Sequence, residues 1–255
     1  MNALDPILAA TREAVARRRA AVPLAELSPR ATPVRAFREA LSRPGLAVIA
    51  EHKRRSPSAG AIREDLTLEL VVTSYERGGA AALSVLTEGP NFGGSLDDLR
   101  AASRASALPI LRKDFIVDPY QLPESFAAGA DAVLLIVAAL SASELAELHA
   151  QARSFGLTAL VEVHDERELD VAVAAGAEVV GINNRDLTSL RVDLARTFEL
   201  LPRIPDGVRV VAESGFKTRS ELEALGQAGV DAVLVGEALM RSPDIEAATR
   251  ELIAL

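Results

Sequence analysis

Glu51 and Lys53 stand two residues apart at the end of the apolar run Leu46-Ala-Val-Ile-Ala50, and Ser56-Pro57-Ser58 follows almost at once. Alternate side chains of a strand share a face, so the acid and the base point one way and His52 the other. Two ionisable groups at the end of a buried strand are costly unless they pair or do chemistry. Similar endings recur along the chain: Ser84 before Thr87-Glu88, then Lys113-Asp114-Phe115, Glu162, Asn183-Asn184-Arg185, Glu213-Ser214-Gly215 and Gly236-Glu237. Groups of these types suit general acid–base work on an anionic substrate. One Lys or Glu at a strand end is most often a solvated or ion-paired rim residue. Two Lys, three Glu, an Asn and an Arg converging from several strands would be a heavy desolvation burden for stability alone. The run ending Leu134-Leu135-Ile136-Val137 has no polar residue, and with Phe92 and Phe115 it offers an apolar wall for a flat apolar group.

Strands must carry these endings to one place. Eight short apolar segments occur, at 46–51, 80–86, 107–112, 131–137, 157–163, 178–183, 208–213 and 231–236, each followed by a helical pattern. Most are near-continuous in Val, Leu, Ile and Ala, as parallel strands covered on both faces are. Ala128-Gly-Ala-Asp-Ala-Val, Ala175-Gly-Ala-Glu-Val-Val and Ala228-Gly-Val-Asp-Ala-Val are variants of one phrase, with a looser copy at Gly78-Gly-Ala-Ala-Ala-Leu. In each, a glycine ends a helix and a buried strand follows. This repetition predicts a (β/α)8 TIM barrel of the α/β class. An open doubly wound sheet would normally show a Gly-x-Gly-x-x-Gly turn after its first strand, and none is present there. Barrels place function at the C-terminal strand ends and commonly bind phosphate after strands 7 and 8, here Ser214-Gly215 and Gly236. Residues 1–45, broken by Pro23, Pro29, Pro33 and Pro44, read as a helical N-terminal extension packing on a barrel of 46–255, one domain overall. The spacing of Ile7, Leu8, Thr11 and Val15 predicts an amphipathic helix rather than a transit peptide.

Composition narrows the partners. A net charge of −8, no Trp, two Tyr and seven Phe disfavour nucleic acid. No apolar run approaches the ~18–20 residues that span a bilayer. The absence of Cys excludes disulfides, thiolate metal sites and cysteine nucleophiles, and suits a reducing cytoplasm. His52, His149 and His164 form no ligand pair, so no metal is expected. Arg54-Arg55 stays open between a solvated rim pair and a contact for an anionic substrate.

The stretch Ile49-Ala-Glu-His-Lys-Arg-Arg-Ser-Pro-Ser58 resembles the first-strand signature of the indole-3-glycerol phosphate synthases. Ser84-Val-Leu-Thr87, Leu111-Arg-Lys-Asp-Phe115, Asp118-Pro-Tyr-Gln121, Leu160-Val-Glu-Val163, Gly181-Ile-Asn-Asn-Arg-Asp-Leu187 and Ala212-Glu-Ser-Gly215 resemble that family too, in its order, from about residue 40 to the end. The resemblance implies ring closure, with loss of CO₂ and water, of 1-(2-carboxyphenylamino)-1-deoxyribulose 5-phosphate, without metal or organic cofactor. It makes Lys113 the general acid and Glu162 the principal base, with Glu51 and Lys53 assisting, and counts Asn183 and Ser214 as catalytic. It seats the anthranilate carboxylate on Arg185, Asn183 and Ser56, and the phosphate against Lys53, Ser214, Gly215, Gly236 and the backbone of Glu237. Ser84 joins the substrate contacts, and Phe92, Phe115 and Leu134 sandwich the ring. It further implies a cytoplasmic monomer with a small phosphorylated substrate, leaving room for contact with neighbouring enzymes of tryptophan biosynthesis. His52, Pro123 and Phe216 depart from the family's usual pattern. Competing readings are another phosphate-binding barrel, such as a phosphoribosylanthranilate isomerase, or a catalytically silent barrel that only binds a phosphorylated ligand.

Overall fold

The computed structural model describes residues 4–186, 189, 191–216 and 218–253. Leu187, the last residue of the sixth motif, lies outside the described residues, as do the ends of the two expected segments at 1–3 and 254–255. Eight parallel strands close into a barrel: β1 (Ala47–His52), β2 (Ala82–Leu86), β3 (Ile110–Lys113), β4 (Ala132–Ile136), β5 (Thr158–Val163), β6 (Val179–Asn183), β7 (Arg209–Glu213) and β8 (Ala232–Val235). β1 pairs with both β2 and β8, which closes the sheet. The third strand starts at Ile110 and not at 107, because Pro109 has no N–H to give a ladder.

Alternation along each strand separates two cores. Ala47, Ile49, Leu111, Leu134, Leu160, Val179, Val211 and Leu234 fill the barrel interior. Val48, Leu83, Val133, Val161, Val180, Val210 and Val233 face the helices instead. The same alternation carries Glu51, Ser84, Lys113, Glu162, Asn183 and Glu213 inward at the C-terminal mouth, two positions or a multiple of two after an interior residue. The repeated junction glycines Gly79, Gly129, Gly176 and Gly229 have φ between 79° and 97°, a conformation that turns each helix into the next strand. Helix starts are capped by Thr67, Ser95, Asp165, and by capping boxes at Ser141 and Thr218. Pro123 sits in the first turn of the helix Gln121–Ala128, where a missing N–H is harmless.

The helix Leu4–Ala21 buries Leu4, Leu8 and Val15. Leu4 and Leu8 belong to the inner cluster together with Val117, Ile136 and Ala139, which places this helix against the mouth on the β3–β4 side. Phe37 and Leu41 are fully buried in that cluster too. Ion pairs tie this N-terminal stretch down. Arg30 and Arg35 meet the buried carboxylate of Asp131, which also accepts from Ile110 N at 2.8 Å. Arg18 meets Glu124 at 2.6 Å.

Candidate active site

Register decides which strand ends become neighbours. Glu51 lies opposite Ser84, Leu86 opposite Lys113, Ile136 opposite Glu162, and Asn183 opposite Glu213. Lys113 Nζ sits between two carboxylates, 3.1 Å from Glu162 Oε2 and 3.3 Å from Glu213 Oε2. Lys53 Nζ pairs with Glu51 Oε1 at 2.8 Å, and Ser84 Oγ donates to Glu51 Oε2 at 3.3 Å. Glu162 and Glu213 are 1% and 2% exposed. Asn183 accepts at Oδ1 from Arg185 N at 3.0 Å, which leaves its Nδ2 as the donor it presents at the mouth.

The charges hold one another in unusual states. Burial alone would depress Lys113, but the carboxylates Glu162, Glu213 and Glu51 outweigh it and hold the ammonium well above the ordinary lysine range. Burial would raise Glu162, yet Lys113, His164 and Asn183 pull it well below the usual carboxylate range. Glu213 goes the other way. Burial pushes it up to about 7 against the pull of Lys113, with Glu162 and Glu51 adding repulsion. Its Oε1 is buried with no hydrogen-bond partner among the described residues. Two carboxylates on one lysine have thus split into an ionised member and one that titrates near neutrality.

Two glycines make room for these acids. A Cβ on Gly181 would lie 2.3 Å from Glu213 Oε1, and one on Gly236 would lie 2.6 Å from Glu51 Oε1. Gly181 is on β6 and Gly236 just follows β8, each on the strand beside the acid it accommodates. Beyond β7, Ser214 takes φ 67° and Gly215 φ 97°. A serine in that region is strained, at a cost of order 1–3 kcal/mol. Asn184 holds it there: its Nδ2 donates to Ser214 O at 3.2 Å, while its Oδ1 accepts from Thr197 Oγ1 at 2.9 Å and Thr197 N at 3.2 Å. A Cβ on Gly215 would strike Val192 at 2.4 Å.

The remaining expected residues are placed as follows. Phe115 packs, half-buried, against the inner cluster that includes Leu134. Phe92 is half-buried in the loop after β2, where its N–H donates to Glu88 at 2.9 Å. Ser56 Oγ accepts from Ala59 N at 3.2 Å within the small hairpin Arg55–Ser56 and Gly60–Ala61. Arg185 is half-buried and bridges to Val192. Glu237 starts a short helix and pairs with Arg241 at 3.0 Å. Arg54 and Arg55 clasp the neighbouring loop: Arg54 bonds Asp98 and Gly93 O, and Arg55 bonds Gly89 O and Pro90 O. The loop from Thr87 to Gly94 carries three glycines and a network of internal hydrogen bonds. Glu88 accepts from Asn91 N, Asn91 Nδ2 and Phe92 N, and a Cβ on Gly94 would strike Leu86 O.

Sequence reasoning places Glu213 among the strand ends but gives it no catalytic or binding role. The signal was present, since Glu213 is two residues beyond the interior Val211 just as Glu162 is two beyond Leu160. Its partnership with Lys113, four strands away around the barrel, is a product of closure. His164, which offers no ligand pair in sequence, hydrogen-bonds Glu168 through Nδ1 at 2.9 Å, while its Nε2 lies 3.4 Å from Glu162 at ion-pair distance, buried and without a hydrogen bond among the described residues. His52, facing the helix layer as its strand phase requires, is buried and pushed down to about 4, chiefly by desolvation and then by Arg54. Among the described residues, no grouping of three or more His, Asp or Glu side chains is arranged to hold a metal ion.

Comparison with known proteins supplies the family. The chain is 53% identical over 221 residues to the indole-3-glycerol phosphate synthase 2 of Streptomyces coelicolor, covering 87% of this chain and 86% of that one. It is 49% identical over 258 residues to the indole-3-glycerol phosphate synthase of Rhodopirellula baltica, covering both chains in full. Among solved structures it resembles 3-hexulose-6-phosphate synthase from Salmonella typhimurium, with a TM-score of 0.64 at 15% identity over 81% of this chain and 96% of that one. It also resembles thiamine phosphate pyrophosphorylase from Pyrococcus furiosus, with a TM-score of 0.60 at 19% identity over 86% and 96%. At such identities these structures attest the barrel alone. The model of the family described as indole-3-glycerol phosphate synthase matches residues 4–252. A closed eight-stranded barrel, a lysine between two buried carboxylates at its mouth, and these alignments over nearly the whole chain place the protein in the indole-3-glycerol phosphate synthase family.

Proposed function

We propose that Lys113 and Glu162 are the acid and the base of the reaction that family membership assigns to this chain, the carboxy-lyase step of tryptophan biosynthesis that forms indole-3-glycerol phosphate. One observation carries the assignment: Lys113 Nζ is held 3.1 Å and 3.3 Å from two buried carboxylates at the barrel mouth. In the carboxyphenylamino-deoxyribulose phosphate, the ring carbon bearing the carboxylate must attack the sugar ketone. The ketone oxygen then gathers charge and needs a proton, which a charged, positioned lysine supplies. Loss of CO₂ restores the ring. A hydroxyl must then leave as water while a base takes a proton, and Glu162, kept ionised by its neighbours, is ready to accept one. Glu213, titrating near neutrality, exchanges a proton with Lys113 between turnovers. Glu51 and Lys53 form a second acid–base pair beside them.

Arg185, Asn183 and Ser56 seat the anthranilate carboxylate, with Ser84 behind them, and Phe92, Phe115 and Leu134 flank the ring. The phosphate lies against Lys53 and the backbone of Ser214, Gly215, Gly236 and Glu237. The strained Ser214, locked by Asn184, supports that placement, since strain held by surrounding bonds concentrates at ligand clamps. The enzyme acts in the cytoplasm as a monomer, with residues 1–45 as an extension packed on the 46–255 barrel and free to meet neighbouring enzymes of the pathway. No described helix is long and apolar enough to cross a membrane.

The test is turnover of the carboxyphenylamino-deoxyribulose phosphate in the presence of a chelator, followed by indole fluorescence. Wild type turns over, and Glu162→Gln loses at least the ~10²-fold typical of a missing general base. Binding without turnover by wild type would leave the silent barrel, and no binding would leave the isomerase. Sedimentation checks the monomer.

A further inference from the structure

His164 follows β5 directly and is flanked by acids on both ring nitrogens. Nδ1 lies 2.9 Å from Glu168 Oε2, and Nε2 lies 3.4 Å from Glu162 Oε1. Glu168 also accepts from His164 N at 2.7 Å, which fixes the carboxylate against the ring's own backbone. Nδ1 makes the hydrogen bond, while Nε2 is buried without one and meets Glu162 only at ion-pair distance. An ionised carboxylate only accepts, so Nδ1 must carry hydrogen, and a bare lone pair on Nε2 would face the negative charge of Glu162 where an N–H is attracted to it. Only the imidazolium meets both acids with an N–H. The second oxygen of Glu162 is held by Lys113 at 3.1 Å, so each oxygen of this acid faces a different cation. The His164 ring is about one-tenth exposed and Glu168 about one-fifth, so the row runs from the mouth to the outside of the barrel.

We propose that His164, as an imidazolium oriented by Glu168, is a positioning residue for Glu162, fixing the free oxygen of the base and preserving its negative charge between turnovers. The proposal rests on Glu162 being the base. Other groups facing Glu162 are Lys113 from β3, Glu213 from β7, Glu51 from β1 acting through Lys113 and Glu213, and the neutral Asn183 from β6, while β4 presents Ile136. Those facing His164 are Glu162 and Glu168. Burial opposes the imidazolium, but the two glutamates overcome it and raise the ring to about 10.

Three measurements on the whole enzyme test this. The ring-nitrogen NMR signals of His164 in wild type should show both nitrogens protonated at pH 8; a neutral ring there overturns the proposal. His164→Gln keeps a donor without a charge, and should lower kcat about 10- to 100-fold while leaving KM within about twofold. Removing the cation lets Glu162 bind a proton more readily, so the acid limb of the kcat profile should move up by about one pH unit. Glu168→Gln, more distant from the substrate, should reproduce part of that movement and serves if His164→Gln fails to fold. A purely structural role predicts a lower Tm with an unmoved limb, and that result, or a change in KM alone, sinks the proposal. Glu162→Gln separates the two ideas. If Glu162→Gln is inactive while both His164→Gln and Glu168→Gln keep the wild-type profile, only the positioning role fails. If Glu162→Gln turns over normally, the assignment of the base fails first.

Discussion

Arg112 and Lys113 are neighbours in sequence and opposites in the fold. Arg112 points out of β3 into the helix layer, is 1% exposed, and has a hydrogen-bond partner at each guanidinium nitrogen. It bonds Asp114 at 2.8 Å, Glu124 at 3.0 Å, Ser125 at 2.9 Å, Thr87 at 3.1 Å and Gln121 O at 3.2 Å. Lys113 points into the mouth, where two acids share one ammonium and an oxygen of Glu213 lacks any described partner. A buried charge with a partner at each donor atom is held in one geometry. A buried cluster short of partners has protons to exchange, and that is what catalysis requires. The outward residue serves stability and the inward one chemistry, although both are cations on one short strand.

Removal of either charge sharpens the contrast. Lys113→Met should cut kcat by at least ~10²–10⁴-fold, read by steady-state turnover, and because it leaves the buried Glu162 and Glu213 without their lysine it should also lower stability in thermal melting, with the folded fraction still inactive. Arg112→Met strands Asp114 and Glu124 in the helix layer, so urea unfolding should show a loss of about 3–5 kcal/mol, while the folded fraction keeps kcat within a few-fold. If Arg112→Met lowered kcat as much as Lys113→Met, the division of labour along β3 would be wrong.

Gly181→Ala tests the mouth without altering a charge. The new methyl must displace Glu213, and a shift of about 1 Å in such a cluster costs roughly 10²-fold in kcat. Gly176→Ala, at a junction where no atom lies near, should spare kcat and weaken only folding through its positive φ. Arg185→Ala should raise KM with a smaller change in kcat, since a carboxylate anchor acts on ground and transition states alike. A large fall in kcat at constant KM would make Arg185 part of the chemistry.

The smallest effect concerns pH. Glu213 is raised from its ordinary 4.5 to about 7, so the folded protein holds this proton more tightly than the unfolded chain. Its contribution to stability is therefore full below about pH 4.5 and fades as pH rises through about 7. Glu213→Gln, which stays neutral, should flatten that part of the stability curve in urea titrations between pH 4.5 and 7. An unchanged slope would mean that Glu213 is ionised throughout, and that the split between the two carboxylates is not real.

Local pattern sufficed for much of this molecule. Apolar runs of strand length, glycines that end helices with positive φ, and a two-residue alternation depend on a few neighbouring residues, so the barrel and the inward direction of Glu51, Lys113 and Glu162 were legible in the chain. What each inward group meets depends on register and closure, which join residues tens to hundreds of positions apart. Only the closed barrel set Glu213 beside Lys113, turned Gly181 and Gly236 into recesses for acids, and enclosed His164 between two glutamates. It also packed Gly94 where a side chain would strike Leu86 O, and set Arg54 and Arg55 against the adjacent loop. Residue type determined which groups could carry protons. Tertiary structure decided which of them share one, because only folding sets the distances and the burial that move their affinities apart.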